Sequence, residues 1–338
     1  MTRTARARTR AAWPVVLSAL ALLLAASPAL ASEDKAQGEP PLLRVPALTE
    51  APRIDGEIED GEWTDAAVFS GVAGNPLGMP FLLPQAQQVT WYLGFRGNML
   101  YIGMRSPHPE GTFPTGRVKQ RDDPDVLWGD HVEIEICPRS RASARVPGQG
   151  FYMMIINAWG AMHDQHVRNG TPGTESLWDT GGQVACHVTD RMWQMEMSID
   201  ATRMGMDKLA GEDAILQLVR TDSPSGGIFF AGWVGTAWMG WDKFGAVQFD
   251  PAAPAVRCDG LGALMEGTLD ADVEAIAAAD GEQRVELHVS VTDAAGRSLY
   301  DQTKTVTATA GAPARARFQV ANLDISEMDV DDRERNHI

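Results

Sequence analysis

Residues 88–106, "QVTWYLGFRGNMLYIGMRS", alternate between polar and apolar side chains on both sides of a turn at Asn98. A period of two is typical of a β-strand that buries one face, because successive side chains point to opposite faces of a sheet. Two such runs around a short turn predict a β-hairpin.

The same alternation continues through most of the chain. In "DHVEIEICP" the residues Val132, Ile134 and Ile136 share one face, and two glutamates take the other. Further strand-like runs are "FYMMIINAWG", "GGQVACHVTD", "RMWQMEMSID", "AILQLVRTD" and "GAVQFD". The only helix-like piece is short, around residues 200–206. We therefore predict an all-β fold, an antiparallel β-sandwich or jelly roll with a small second β module.

The N-terminal 31 residues have the pattern of a secretory signal peptide. Four arginines precede an apolar run from Val15 to Ala26, and Ala29-Leu30-Ala31 supplies a cleavage site. An uncleaved anchor is the alternative. Cleavage would make the protein exported, to the periplasm, the cell surface or the medium, with no membrane attachment afterwards.

Composition divides the remaining chain into four parts. Residues 42–250 hold the main series of strands, and residues 251–262, rich in Pro, Gly and Ala, suggest a linker. Residues 263–325 give three or four alternating strands of a partial immunoglobulin-like module. Residues 326–338 form a charged tail.

The net charge restricts the class of partner. The formal charge is −16, and loss of the four signal-peptide arginines brings it to about −20. A nucleic-acid binder needs a basic surface, and an acidic polysaccharide would be repelled. The expected partners are neutral molecules or cations such as Ca²⁺; the alternative is that the charge only keeps the protein in solution.

Three cysteines cannot form a disulfide framework, so the fold must depend on a hydrophobic core. Cys137 and Cys186 lie at the ends of strand-like runs. They are expected to be inert buried thiols, with a disulfide between them as the alternative.

Six pieces of the chain resemble the family 9 carbohydrate-binding modules in their order and spacing. The pieces are "IDGEIEDGEWTDAA", "LYIGMRS", "LWGDHVEIEI", "FYMMIINAWG", "MWQMEMSID" and "KFGAVQF". The resemblance spans roughly residues 42–250. It implies that Ile54 and Trp63 plug the end of the sandwich, with Asp55-Gly56 as the tight turn between acidic, water-facing residues.

The resemblance also implies a sugar site. The family clamps a sugar between two tryptophans, and the matching positions hold Trp128 in "LWGDHVEIEI" and Trp238 in "WMGWDKFG", for which Trp241 could substitute. Such a clamp favours terminal sugar units. Tryptophan suits this role because its flat apolar face packs against the C–H face of a sugar ring.

Polar residues of the expected site come from the same comparison. Glu133 stands where the family carries a carboxylate that binds sugar hydroxyls, and Asn157 stands on the neighbouring strand. Where sugar binders have an arginine two residues before this asparagine, the chain has Ile155; Arg220 could partly compensate.

The other tryptophans outside obvious core positions are also candidates for sugar contact. The full set is Trp91, Trp128, Trp159, Trp178, Trp233, Trp238 and Trp241. Trp63 and Trp193, by contrast, are expected in the core.

One acidic loop, "RDDPDVLWGD", is a candidate calcium site. Asp122, Asp123, Asp125 and Asp130 offer the oxygen ligands that Ca²⁺ prefers, and relatives of the family carry structural calcium. A solvated turn is the alternative.

The expected function is non-catalytic binding of a neutral polysaccharide or oligosaccharide at chain ends, in an exported protein that serves carbohydrate breakdown beside a hydrolase. One alternative is a structural or protein-interaction sandwich without sugar binding. Another is a jelly-roll glycoside hydrolase that uses Glu133 and Glu135, which share one strand face at the spacing of two catalytic carboxylates. The "EIEI" sequence, however, lacks the middle Asp of the E-x-D-x-E pattern.

Overall fold

The computed structural model describes residues 42–59, 61–70, 88–138, 150–168, 175–222, 229–232, 245–278, 281–292 and 297–324. Within these ranges the chain forms strands, turns and three short 3₁₀ helices, at Pro124–Leu127, Ala201–Met204 and Leu264–Glu266. The second of these is the short helical piece expected around residues 200–206. No helix in these ranges has the length and hydropathy needed to span a bilayer.

Eighteen strands are found in the described part of the chain. They are β1 (Leu42–Val45), β2 (Ala67–Ser70), β3 (Thr90–Arg96), β4 (Met99–Pro107), β5 (His131–Cys137), β6 (Phe151–Asn157), β7 (Met162–Val167), β8 (Glu175–Leu177), β9 (Val184–Val188), β10 (Met192–Asp200), β11 (Asp213–Asp222), β12 (Phe229–Gly232), β13 (Gly245–Phe249), β14 (Ala255–Arg257), β15 (Leu269–Ile276), β16 (Glu282–Thr292), β17 (Ser298–Thr309) and β18 (Ala314–Val320).

The strands form two eight-stranded sheets and one hairpin. The first sheet has the order β1-β13-β11-β5-β6-β7-β8, with β12 also paired to β11. The second has the order β18-β15-β14-β2-β3-β4-β10-β9, and β16 and β17 pair with each other. Neighbours are antiparallel except β1 with β13 and β14 with β2. The predicted all-β antiparallel sandwich is confirmed.

The hairpin expected at residues 88–106 is present. Strands β3 and β4 pair antiparallel from Thr90↔Arg105 to Arg96↔Met99, and Gly97 in the turn has φ +59°. This positive φ is a left-handed conformation that glycine adopts without steric cost.

The main core lies between the two sheets and contains the alternate residues that the sequence pattern predicts. Leu93 and Phe95 of β3, and Val132, Ile134 and Ile136 of β5, belong to it. Burying each such side chain contributes about 1.5–3 kcal/mol. The expectation that Trp91 lies outside the core is wrong: its side chain points inward with the alternate residues of β3 and is 3% exposed.

The opening segment around Trp63 covers a sheet face. Trp63 is fully buried in a cluster with Ile58, Tyr92 and Tyr101, on the face of the second sheet that points away from the main core. Trp63 is buried and structural as predicted, but the prediction that it closes the end of the sandwich is wrong, because it covers a sheet face instead. The reason is that β3 and β4 alternate, so their tyrosines stand on the outer face and need an apolar cover.

Glu196 of β10 fixes this segment. Its carboxylate accepts from the indole Nε1 of Trp63 (2.9 Å) and from the backbone N–H groups of Asp55 (3.1 Å) and Gly56 (2.9 Å). Gly56 has φ +92°, and a Cβ there would lie 2.7 Å from the backbone carbonyl carbon of Cys186. A tight turn at Asp55-Gly56 is thus needed for the close approach of two backbones.

The C-terminal strands have a separate core and continue the second sheet. Strand β14 lies inside the segment expected to be a linker; it pairs with β15 and, through Arg257↔Val68, with β2. Arg257 also donates to the carbonyls of Trp63 and Thr64. Strands β15 to β18 are the alternating strands predicted for residues 263–325. The division into modules stays a prediction, and the signal peptide and charged tail lie outside the described residues.

Cys137 and Cys186 are free thiols in different sheets. The alternative of a disulfide between them is wrong. Burial raises the pKa of the Cys186 thiol to about 12.

Candidate functional site

Two exposed tryptophans stand at one end of the first sheet. Trp128 precedes β5 and Trp159 follows β6, and the adjoining strand ends are paired through His131↔Asn157. Residues 115–119 run beside both: Gly116 forms a bridge with Gly129, and the carbonyl of Val118 accepts from Asn157 Nδ2 at 2.7 Å. We call Trp128, Trp159, Arg117 and Lys119 together the tryptophan face.

Local hydrogen bonds hold the loop that carries Trp128. Asp123 caps the 3₁₀ helix Pro124–Leu127 by accepting from the backbone N–H of Asp125 at 2.9 Å. The N–H of Trp128 donates to the carbonyl of Asp125 at 3.0 Å. Asp130 then accepts from the backbone N–H and the hydroxyl of Thr115, which ties the loop to residues 115–119. The indole is thus carried on a fixed backbone.

The turn that carries Trp159 is fixed by Asn157. Its Oδ1 accepts from the backbone N–H groups of Trp159 and Ala161, both at 3.1 Å. Gly160 completes the turn with φ +76°. Asparagine suits this place because its side chain hydrogen-bonds to backbone two residues along.

Each indole has one cation beside it and much of its surface open. Trp128 is 51% exposed with the Arg117 guanidinium carbon 5.8 Å from its ring centroid. Trp159 is 49% exposed with Lys119 Nζ at 4.5 Å. Both cations belong to one short segment, which runs beside the loops that carry the two rings. About half of each indole surface stays open to a partner.

Sequence reasoning identified Trp159 as a candidate but did not join it to Trp128. The signal that could have joined them is the pairing of "GDHVEIEI" with "FYMMIINAWG" as neighbouring strands, which sets the two tryptophans next to the same strand end. The cations of residues 117–119 gave no sequence signal, because their loop has no regular period.

Three polar residues expected to bind sugar form contacts inside the protein. Glu133 is 1% exposed, and its Oε1 lies 2.8 Å from His131 Nε2. Asn157 is 1% exposed and bonds to backbone as above. Arg220 is buried against Asp130 (3.3 Å) and over the Trp193 ring (4.6 Å). The loops that cover the strand ends hold all three groups in internal contacts, and the sugar-binding roles stay predictions from the resemblance.

The other half of the predicted clamp, Trp238 and its substitute Trp241, lies outside the described residues, as does Trp233. Trp178 is half-buried, with its Nε1 donating to the carbonyl of Arg203 at 2.9 Å and its ring centroid 4.6 Å from that of Tyr152. It therefore belongs to packing at the sheet edge.

The two glutamates of β5 form a buried acidic pair. Glu135 is also 1% exposed, and burial, with a smaller contribution from the charge of Glu133, raises the pKa of Glu135 well above its ordinary value. Glu133 Oε2 and Glu135 Oε1 are buried without hydrogen-bond partners in the described structure. A raised pKa suits a general acid, but neither side chain is open to a polymer. Both glutamates are thus buried on the face opposite the main core.

The four aspartates of the acidic loop do not come together. Asp130 is buried against Arg220 and Thr115, while Asp123 caps a 3₁₀ helix and Asp122 lies 3.8 Å from Arg121. Asp125 is exposed. In the part of the chain that the structure describes, no group of three or more Asp, Glu, His or Cys residues could hold a metal ion. The predicted calcium ligands are thus not assembled.

No protein-family model and no curated protein matches the chain. Among solved structures, the chain is similar to a protein from Bacteroides uniformis ATCC 8492 that is provisionally described as carbohydrate-binding. The two are 12% identical, the match covers 63% of this chain and 100% of that chain, and the TM-score is 0.49. At this level a likeness assigns no residue role, and the resemblance to family 9 modules stays one of sequence pieces.

Proposed function

We propose that the protein binds a saccharide, without catalysing its conversion, at the tryptophan face. The observation that carries the proposal is the pair of half-exposed indoles, Trp128 and Trp159, held on hydrogen-bonded turns at one end of the first sheet. An exposed tryptophan loses little conformational entropy when a flat partner packs on it, since its backbone is already fixed.

The expected affinity is modest. Packing a sugar C–H face on each indole contributes on the order of 1–2 kcal/mol through burial of apolar surface. With a few hydrogen bonds in addition, and the loss of rigid-body entropy against them, a dissociation constant of roughly 10 µM to 1 mM follows. Such a site becomes effective when it holds a hydrolase near its polymer, because tethering raises the local concentration.

The finer parts of the proposal have separate supports. Export and service to a hydrolase follow from the signal-peptide pattern and from the family resemblance. Preference for chain ends depends on a clamp of Trp128 with Trp238, which lies outside the described residues. The expectation of a neutral ligand comes from the net charge of the whole chain, whereas the side chains beside the two indoles, Arg117 and Lys119, are cations.

The test is a glycan array followed by calorimetry on the sugars that bind. Trp128→Ala and Trp159→Ala should each weaken binding by about tenfold or more, which corresponds to about 1.4 kcal/mol. The matched control is Leu177→Ala, an exposed apolar residue on the edge strand β8. Binding that survives both tryptophan variants would refute the proposed site.

The second candidate is a protein-interaction sandwich, because the same exposed indoles and cations would suit a protein partner. An array on which no sugar binds would favour it. The hydrolase alternative is tested on the same polysaccharides by measuring turnover with Glu133→Gln and Glu135→Gln. Turnover lost in these variants would contradict the non-catalytic proposal.

A further inference from the structure

We propose that the saccharide bound at the tryptophan face is anionic, with a carboxylate or sulfate group that pairs with Arg117 and Lys119. The inference rests on the proposed function and changes the substrate class expected from the net charge. It follows from the charges that surround the two indoles.

Arg117 and Lys119 have no carboxylate within salt-bridge distance among the residues that the structure describes, and each cation lies over an indole ring there. Arg121, two positions further, shows the contrast. Its guanidinium lies 2.7 Å from Asp164, 3.3 Å from Asp179 and 3.8 Å from Asp122. Arg117 and Lys119 are distinguished by their position, because each cation lies against a half-exposed indole of the proposed site.

The nearby carboxylates are largely committed to other groups. Asp130 binds Arg220 and Thr115, and Asp123 caps the 3₁₀ helix that precedes Trp128. Asp122 shares Arg121 with Asp164. Asp125 is exposed and opposes an anion. All these carboxylates keep their charges, but the charged groups that lie against the two exposed rings are the cations Arg117 and Lys119.

The cations can turn from the rings to a ligand at small cost. A cation–π contact at an exposed site contributes about 0.5–1 kcal/mol, whereas a hydrogen bond to a charged group contributes about 1.5–3 kcal/mol. An anionic sugar therefore offers more than the indole does, and the uncovered ring still packs against the sugar. Arginine binds a carboxylate or sulfate through two parallel N–H groups, and lysine binds it as a point charge.

The negative charge of the whole protein does not prevent this binding. At physiological ionic strength the Debye length is about 8 Å, so distant carboxylates are screened while contacts at the face are not. The attraction is itself salt-dependent, which gives the inference a second observable.

The experiment compares three sets of oligosaccharides of equal length and linkage: neutral, uronate-containing and sulfated. Calorimetry is carried out on the full-length protein and on Arg117→Gln, Lys119→Gln and Lys208→Gln. Lys208 is the control, since it is an exposed cation in another segment of the chain. Its neighbour Asp207 accepts a hydrogen bond from Asn98, in the turn between β3 and β4.

We expect one of the two anionic sets to bind at least tenfold more tightly than the neutral set. Arg117→Gln and Lys119→Gln should each remove fivefold or more of that preference, and Lys208→Gln should stay within twofold of the unmodified protein. Raising the salt from 50 to 500 mM should weaken anionic binding only.

Neutral sugars that bind as tightly as both anionic sets would overturn the inference and leave the proposed function standing. An absence of binding to all three sets would overturn both. Which anionic set binds decides between carboxylate and sulfate as the source of the charge.

Discussion

Replacing Glu196 by alanine should destabilise the fold strongly, because one carboxylate fixes the whole opening segment. The change removes the acceptor of three N–H groups: Trp63 Nε1, Asp55 N and Gly56 N, at 2.9, 3.1 and 2.9 Å. Trp63 is fully buried, so its indole N–H has no water to take the place of Glu196. An unsatisfied buried donor costs about 1–3 kcal/mol.

The expected loss follows from these contacts. A hydrogen bond to a charged group contributes about 1.5–3 kcal/mol, so three give about 4.5–9 kcal/mol before the cost of burying the carboxylate. That cost is real, since burial raises the pKa of Glu196 despite the three donors. We therefore expect a net loss of about 3–5 kcal/mol in the free energy of unfolding, as for other buried networks that lose one partner.

The assay is urea unfolding at pH 7, followed by tryptophan fluorescence and far-ultraviolet circular dichroism. Glu196→Gln keeps one acceptor oxygen and should lose about half as much as Glu196→Ala. A double-mutant cycle of Glu196→Gln with Trp63→Phe should show a coupling of about 1–3 kcal/mol, because the two residues share one bond. Glu286→Ala, an exposed carboxylate on β16, is the control and should change stability by less than about 0.5 kcal/mol.

A loss below about 1 kcal/mol for Glu196→Ala, with a normal control, would refute the reasoning. It would mean that the apolar cluster of Ile58, Trp63, Tyr92 and Tyr101 holds the segment without the carboxylate.

Three further predictions concern buried groups. The folded protein raises the pKa of Glu135 and so keeps a proton that the unfolded chain releases. Stability should therefore fall as the pH rises from about 4.5 through the raised pKa, by up to about 1.4 kcal/mol per pH unit for this group. Glu135→Gln should make the slope smaller in urea unfolding at several pH values, and the raised pKa of Glu196 accounts for part of what remains. Gly56→Ala should cost about 2 kcal/mol or more, since its Cβ meets the Cys186 backbone, whereas Gly61→Ala, with nothing within 4 Å, should be near neutral in thermal unfolding. The half-buried Cys186 thiol, with a pKa of about 12, should react slowly with a thiol reagent at pH 8 in the folded protein and faster on unfolding; a fast native reaction would contradict the raised pKa.

The strands and the main core could be predicted from the sequence because both follow from alternation. Val132, Ile134 and Ile136 are inward as their period requires, and Trp63 and Trp193 are buried as expected. A period of two assigns each residue to a face of the sheet and depends only on near neighbours in the chain.

The candidate site was harder to predict because alternation does not tell whether a face is covered. Glu133 and Glu135 lie opposite the main core as predicted, yet both are buried, beside an apolar cluster to which Val126 of the 3₁₀ helix and Val118 contribute. The cover depends on where an irregular loop returns to the sheet, which is a long-range property without a local sequence pattern. For this reason the burial of Glu133, the predicted sugar ligand, could not be read from its sequence.

Both sheets bury carboxylates on their outward faces, but the hydrogen bonding of these carboxylates differs between the sheets. Each carries outward carboxylates beneath a returning segment. Burial raises the pKa of both groups, but Glu196 in the second sheet receives three N–H donors that oppose the rise. In the first sheet Glu135 Oε1 has no hydrogen-bond partner in the described structure. Glu196 is therefore expected to stabilise the fold through its donors, whereas Glu135 is expected to lower stability in the pH range where the unfolded chain releases its proton and the folded chain keeps it.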